Sequence, residues 1–116
     1  MSLDKENNQP AYRLGRLFCV LEKVQKDAIP GANSTIKDRF YGSASTTPAV
    51  VFPRLIKNAQ HHIQKAEYGG VREKLMEEIL NPVKDFPVRL SLEEQGLFAL
   101  GYYHQKKDLY TKKDQE

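Results

Sequence analysis

The sequence contains one cysteine and no tryptophan, and it has no long run of apolar residues. With Cys19 alone, an intrachain disulfide and a cysteine-based metal site are both excluded. A helix needs about 20 mostly apolar residues to cross a bilayer, and no segment approaches that length. Residues 4–8 are polar and do not read as part of a signal peptide. We therefore expect a cytoplasmic protein that does not contact a membrane.

The sequence also lacks the patterns of common catalytic and cofactor sites. Gly69-Gly70 is not followed by the lysine and serine or threonine that a nucleotide-binding loop requires. His61 and His62 are adjacent, so on a helix they would point about 100° apart and would not easily share a metal ion. An enzyme using His104 or Cys19 is the remaining catalytic hypothesis, and no local signature supports it. We expect a protein that is not an enzyme and binds no metal or cofactor.

Apolar residues recur at helical spacing along most of the chain, and no segment alternates with a period of two. A chain of 116 residues forms one domain. We predict an all-α, compact bundle of about five helices around a central C-terminal helix. The second helix is expected to be capped by Asn33 or Ser34, and Gly42–Ser45 reads as a loop. In chain order, the predicted helices cover about 10–27, 34–41, 48–68, 71–80 and 91–110. Residues 1–9 are predicted as a flexible leader, 10–110 as the helical bundle domain and 111–116 as a charged tail.

The helix predicted at 91–110 has the clearest start signal. Ser91 and Glu94 form a capping box, in which each side chain accepts a hydrogen bond from the other residue's backbone. Past this cap, apolar residues surround most of the helix, as is typical of a helix enclosed by others. Gly96 and Gly101 each lower helix propensity by about 1 kcal/mol relative to alanine. We expect a neighbouring backbone to approach closely at both glycines.

The third predicted helix has a basic strip formed by Arg54, Lys57, His61 and Lys65. At about 100° per residue these side chains share one face. No acidic residue lies between Thr47 and Ala66, so the helix itself does not neutralise the strip. A cationic strip of this kind favours contact with phosphates through counterion release. The alternative interpretation is a solvated helix face without a partner.

Two other helices carry cations that we expect to face outward. Arg13, Arg16 and Lys23 fall opposite the apolar stripe of the first helix, and Lys37 and Arg39 lie on the second. The net charge of +3 is only a weak bias, so these positions matter more than the total. We regard all five as secondary candidates for nucleic-acid contact.

Long ordered runs of the sequence resemble a known family. They are 12–18, 29–33, 38–45, 47–48, 51–53 and 91–105. These runs resemble the C-terminal helical region of the large subunit of the type I-C CRISPR Cascade complex, which is also made separately as the small subunit. The resemblance extends from about Ala11 to Lys113.

The resemblance implies an all-α, non-catalytic subunit of an RNA-guided DNA surveillance complex. Its implied protein partners are the large subunit and the backbone subunits that bind the guide RNA (crRNA), with more than one copy per complex. Its implied nucleic-acid partners are the crRNA and the target DNA, including the displaced non-target strand of the R-loop. A purely structural assembly module that does not contact nucleic acid is the alternative.

Overall fold

The computed structural model describes residues 2–31 and 34–114, with side chains up to Thr111. The described part of the chain contains five helices and no strand, which confirms the predicted all-α bundle. The helices are α1 (Pro10–Ala28), α2 (Ile36–Thr46), α3 (Pro48–Lys65), α4 (Gly69–Leu80) and α5 (Leu92–Asp114). None of these described helices is both long and apolar enough to span a lipid bilayer.

The helix with neighbours on every side is α1. All of its residues from Ala11 to Val24 are buried, and it contacts each of the other four helices. The C-terminal helix was predicted to hold this central position. In the structure α5 forms the most extensive contact with α1, but the outer side of α5 faces solvent. There Leu92, Leu100 and Tyr103 are exposed. The wide apolar surface of α5 was therefore wrongly interpreted as evidence of complete enclosure.

Two glycines allow α1 and α5 to cross with their backbones in contact. A Cβ atom at Gly15 would overlap the carbonyl oxygen of Phe98, and one at Gly101 would overlap the carbonyl oxygen of Tyr12. The predicted close approach is thus confirmed at Gly101. It is wrong at Gly96, where a Cβ would meet open space. Gly15, the other half of the crossing, was not singled out from the sequence.

Local capping signals fix the starts of two helices. The Ser91 N–H donates to Glu94 Oε1 at 2.8 Å, and the Glu94 N–H donates to Ser91 Oγ at 3.1 Å, so the predicted capping box is confirmed. For α2 the cap is Thr35, whose N–H donates to Asp38 Oδ2 at 2.9 Å. Ser34 was therefore the wrong choice, and Asn33 lies outside the described residues.

The predicted loop at Gly42–Ser45 is wrong, because these residues continue α2. The Ser45 and Thr46 hydroxyls donate to the carbonyl of Gly42 at 3.0 and 2.8 Å, which satisfies them within the helix. Ala44 and Ser45 are buried where α2 packs against α1 and α3. Tertiary burial here outweighs the weak helix propensity of the segment.

The segments flanking the bundle are connected to it. In the leader, the Asp4 N–H donates to the Tyr12 hydroxyl at 3.0 Å. At the other end, α5 continues through 111–114, where we predicted the charged tail, and 115–116 lie outside the described residues.

The crossing predicts opposite effects for the two glycines of α5. Gly101→Ala should lower the free energy of unfolding by about 2–3 kcal/mol, because the added Cβ meets a backbone that cannot move locally. Gly96→Ala should raise it by about 0.5–1 kcal/mol, because the methyl group is free of contacts and the helix propensity improves. Urea denaturation of both variants measures the difference. Equal effects would contradict the close crossing.

Candidate nucleic-acid interface

Helix α3 separates an apolar face from a cationic one. Phe52, Leu55 and Ala59 are buried against the core, at spacings of three and four residues. The predicted strip lies on the opposite side of the helix, and all of its members are exposed: Arg54, Lys57, His61 and Lys65. We call these four residues the α3 strip. Their common direction follows from the helical period together with the burial of the other face.

The charges of the α3 strip are not neutralised by the described side chains. The ion pairs found among residues 2–31 and 34–111 involve Lys23 and Arg72 with Asp27, and none involves Arg54, Lys57 or Lys65. The described residues also provide these three cations with no side-chain hydrogen bond. Their donors are therefore free to bind oxygen atoms of a polyanion.

A small groove between α2 and α3 brings one further cation beside the strip. The groove has a volume of about 170 Å³, and its lining includes Arg39, Asn58 and His62. Arg39 is exposed, so α2 contributes the outward cation that we expected from it. His62 was not predicted from the sequence to lie at this site. Burial lowers the pKa of His62, and the charges of Lys65 and His61 lower it further.

Arg13 does not face outward as predicted. It is 5% exposed, and its Nε and Nη2 donate to the carbonyls of Ile79 and Glu78 at 2.8 and 2.9 Å. These carbonyls lie in the last turn of α4, where the helix itself offers them no donor. Nη1 donates to the Asn7 carbonyl of the leader at 2.9 Å. Arg13 therefore stabilises the end of α4 and the leader, and burial lowers its pKa.

Arg16 and Lys23 are buried as well, so their predicted outward position is also wrong. Arg16 Nε donates to Gln105 Oε1 at 2.9 Å, and Lys23 Nζ forms an ion pair with Asp27 at 3.0 Å. Long charged side chains become buried when such partners satisfy them. They lie on the side of α1 that α4 and α5 cover, a side that we had assigned to solvent.

Lys37 is separated from the α3 strip because it packs on α5. Its Nζ donates to the Tyr103 hydroxyl at 3.1 Å and lies 5.1 Å from the ring centroids of Tyr102 and Tyr103. The hydrogen bond with Tyr103 is the main cause that raises the pKa of Lys37. Of the nine predicted site residues, the α3 strip and Arg39 are exposed on α3 and the neighbouring α2, whereas Arg13, Arg16 and Lys23 are buried beneath α4 and α5.

Comparison with known families gives a match over almost the whole chain. The model of the CRISPR-associated protein family Cas_Csd1 matches residues 1–110. The chain belongs to the Cas_Csd1 family. This membership confirms the predicted resemblance to a type I-C Cascade-related subunit. A search of curated proteins found no match to the chain.

In this Cas_Csd1 family member, the two residues of the enzyme hypothesis are held by the fold: Cys19 is buried in the core, and His104 is half-buried against Tyr12. Cys19 is 2% exposed, and burial, followed by the nearby charge of Glu22, raises the pKa of its thiol to about 12. His104 Nδ1 lies 2.8 Å from the Tyr12 hydroxyl, with the two rings packed edge to face. Neither side chain lies on the same surface as the α3 strip.

Two arginines with opposite environments provide a test of these assignments. Arg13→Gln should lower the free energy of unfolding by about 2–4 kcal/mol, because it leaves two helix-end carbonyls without a donor. Arg39→Gln, which removes the same charge from an exposed site, should change it by less than about 0.5 kcal/mol. Guanidinium denaturation measures both. A small effect at Arg13 would show that it is not a structural residue.

The thiol of Cys19 should be unreactive in the folded protein. At pH 8 a pKa of about 12 leaves about a thousandfold less thiolate than the ordinary value of 9.0. Ellman's reagent should react rapidly only after denaturant is added, and the Cys19→Ser variant is the blank. Because the folded-state pKa is raised, the stabilising contribution of Cys19 is complete below pH 9 and is lost as the pH rises towards 12. Rapid labelling without denaturant would contradict the burial.

Proposed function

We propose that this chain is a non-catalytic subunit of a type I-C CRISPR RNA-guided surveillance complex, corresponding to the small subunit or to the C-terminal region of the large subunit. In this proposal the α3 strip holds the target DNA, and in particular the displaced strand of the R-loop. The observation that carries it is the row of exposed cations on α3, without ion-pair partners among the described residues, in a chain of the Cas_Csd1 family.

The geometry of α3 suits a contact with the nucleic-acid backbone. From Arg54 to Lys65 the strip extends about 16 Å, at about 1.5 Å per helical residue. Charges recur every 3.4 Å or so along one strand of duplex DNA, so the strip can meet several phosphates. Three of its four side chains are lysine or arginine, which bind phosphates without regard to sequence. Guide pairing supplies the sequence specificity in such complexes, so the protein contact needs none.

The same proposal includes the protein environment of the subunit. It would pack along the backbone subunits that bind the crRNA, next to the large subunit, in more than one copy and in the cytoplasm. Several weak contacts held in one assembly bind a strand far more tightly than each contact alone. The side-chain environments of Cys19 and His104 support a role without catalysis.

A second candidate function is assembly without contact to nucleic acid, and one observation favours it. Val50, Val88 and Leu92 are 72%, 76% and 84% exposed. These three residues lie on neighbouring segments. The backbone of residue 87 hydrogen-bonds to that of residue 49, and the backbone of residue 90 to that of residue 46. Exposed apolar groups of this kind are typical of protein–protein contact. Another subunit of the complex would cover them.

A matched pair of variants tests the role of the α3 strip. Lys57→Gln/Lys65→Gln should weaken binding of single-stranded DNA and reduce the slope of log K against log salt by about 1.4, or about 0.7 for each phosphate contact. Lys84→Gln/Lys107→Gln removes the same charge from exposed positions outside α3 and should leave the slope nearly unchanged. Fluorescence anisotropy at several salt concentrations measures both, and R-loop retention by the assembled complex provides the functional readout.

Two outcomes separate the candidate functions. If the strip variant assembles and retains the displaced strand as well as the control does, the proposed DNA role of α3 is wrong. If Val88→Ser/Leu92→Ser abolishes assembly while the strip variant has no effect, the assembly function is favoured. Circular dichroism of each variant establishes that the helical fold is intact.

A further inference from the structure

A cleft lies between α1, α4, α5 and the leader, on surfaces that the proposed function does not use. Its volume is about 770 Å³, and no residue of α3 lines it. Its apolar wall includes Val71, Leu75 and Leu109. The cations that line it outnumber the acids, Glu78 and Asp108, by five to two; they are Lys5, Arg13, Arg16, Arg72 and Lys74.

Gln105 lines this cleft with a hydrogen-bond donor that has no acceptor. The side chain is completely buried, and its Oε1 accepts from Arg16 Nε at 2.9 Å. That bond fixes the orientation of the amide, because only the oxygen can accept. The described residues then offer no acceptor to Nε2. A buried donor without a partner is rare in native proteins and calls for a ligand or an ordered water.

Two guanidinium groups in the lining have unused donors as well. Arg16 uses Nε for Gln105, and its terminal nitrogens form no hydrogen bond with the described residues. Arg72 Nε forms an ion pair with Asp27 Oδ2 at 4.0 Å, but this distance is too long for a hydrogen bond, so its N–H has no hydrogen-bond acceptor among the described residues. Arg16 and Arg72 thus add cationic donors to the neutral donor of Gln105.

We propose that this cleft binds a phosphate group carried by a nucleotide, with Arg16, Arg72 and Gln105 donating to the phosphate oxygens. Guanidinium groups pair with phosphate through several parallel hydrogen bonds, and the excess of cations in the lining matches the charge. The volume far exceeds that of a bare phosphate, and the apolar wall accommodates the organic part. The inference deepens the proposed function by adding a second nucleic-acid contact, but it does not depend on the α3 strip.

The test follows the side-chain signals of the three donors in ¹H–¹⁵N spectra of the full chain. Thymidine monophosphate should shift the Gln105 amide and the Nε–H signals of Arg16 and Arg72 until saturation. Inorganic phosphate should shift the same signals at higher concentrations, and thymidine should leave them unchanged. Glutarate, a carboxylate control, should bind at least tenfold more weakly than thymidine monophosphate.

Gln105→Glu is the informative variant. Its carboxylate can still accept from Arg16 Nε, but it removes the orphaned donor and offsets the positive charge. The affinity for thymidine monophosphate should fall at least tenfold with the helical fold retained. Arg72→Gln, at a less buried position, should lower the affinity for thymidine monophosphate severalfold. This second variant keeps the proposal testable if Gln105→Glu does not fold. Lys57→Gln/Lys65→Gln should bind the nucleotide as the unmodified chain does, so a failure of the α3 proposal remains distinguishable from a failure here.

Further arms of the titration identify the source of the phosphate. Binding of the dinucleotide dTpdT, whose phosphate is a diester, supports a contact to the strand backbone. Binding confined to the monoester supports a strand end or a free nucleotide. The proposal is overturned if thymidine monophosphate leaves all three signals unchanged at millimolar concentration, if thymidine shifts them equally, or if only the carboxylate binds.

Discussion

The backbone contact between α1 and α5 is the constraint on which the rest of this bundle depends. Gly15 and Gly101 lack side chains at the point where each helix meets a carbonyl oxygen of the other. The helices can therefore approach more closely than ordinary side chains would allow. Beside the crossing, Phe18 of α1 packs against Phe98 and Tyr102 of α5, with ring centroids 6.0 Å apart in both pairs. The crossing thus brings the largest core side chains together.

This close crossing also explains why polar groups of α1 are buried. Glu22 is 4% exposed and accepts hydrogen bonds from the Tyr102 hydroxyl and, at 3.0 Å, from the Thr35 hydroxyl. Arg13 and Arg16 are buried along the same helix and bond to α4 and α5. Each of these side chains would be costly in a dry core without its partners. Here they join α1 to neighbouring elements through directional bonds.

The cations of α1 and those of α3 consequently have different physical roles. Arg13, Arg16 and Lys23 of α1 are enclosed by other helices and serve the fold or, at Arg16, the proposed cleft. Those of α3 remain in solvent, because only its opposite face packs on the core. A domain whose net charge is only +3 can thus present a concentrated positive surface. For a Cas_Csd1 family member, this concentration is more informative than the total charge.

Much of the fold followed from local signals in the sequence. The Ser91–Glu94 cap and the helical period of the apolar residues depend on neighbours within one or two turns, so they are readable without the tertiary structure. For the same reason the α3 strip could be predicted: four positions on one helix share a direction once the helix forms. The extent of α2 could not be read in this way, since its weakly helical end is stabilised by burial against α1 and α3.

The sequence by itself determined that this chain forms amphipathic helices and that one of them carries a cationic face. Only the tertiary structure decided which helix is enclosed, that Gly15 pairs with Gly101 while Gly96 is unopposed, and that Arg13, Arg16 and Lys23 point inward. A helical wheel shows which residues share a face but not how many helices cover that face. That number depends on contacts between residues such as Arg16 and Gln105, which are 89 positions apart in the chain.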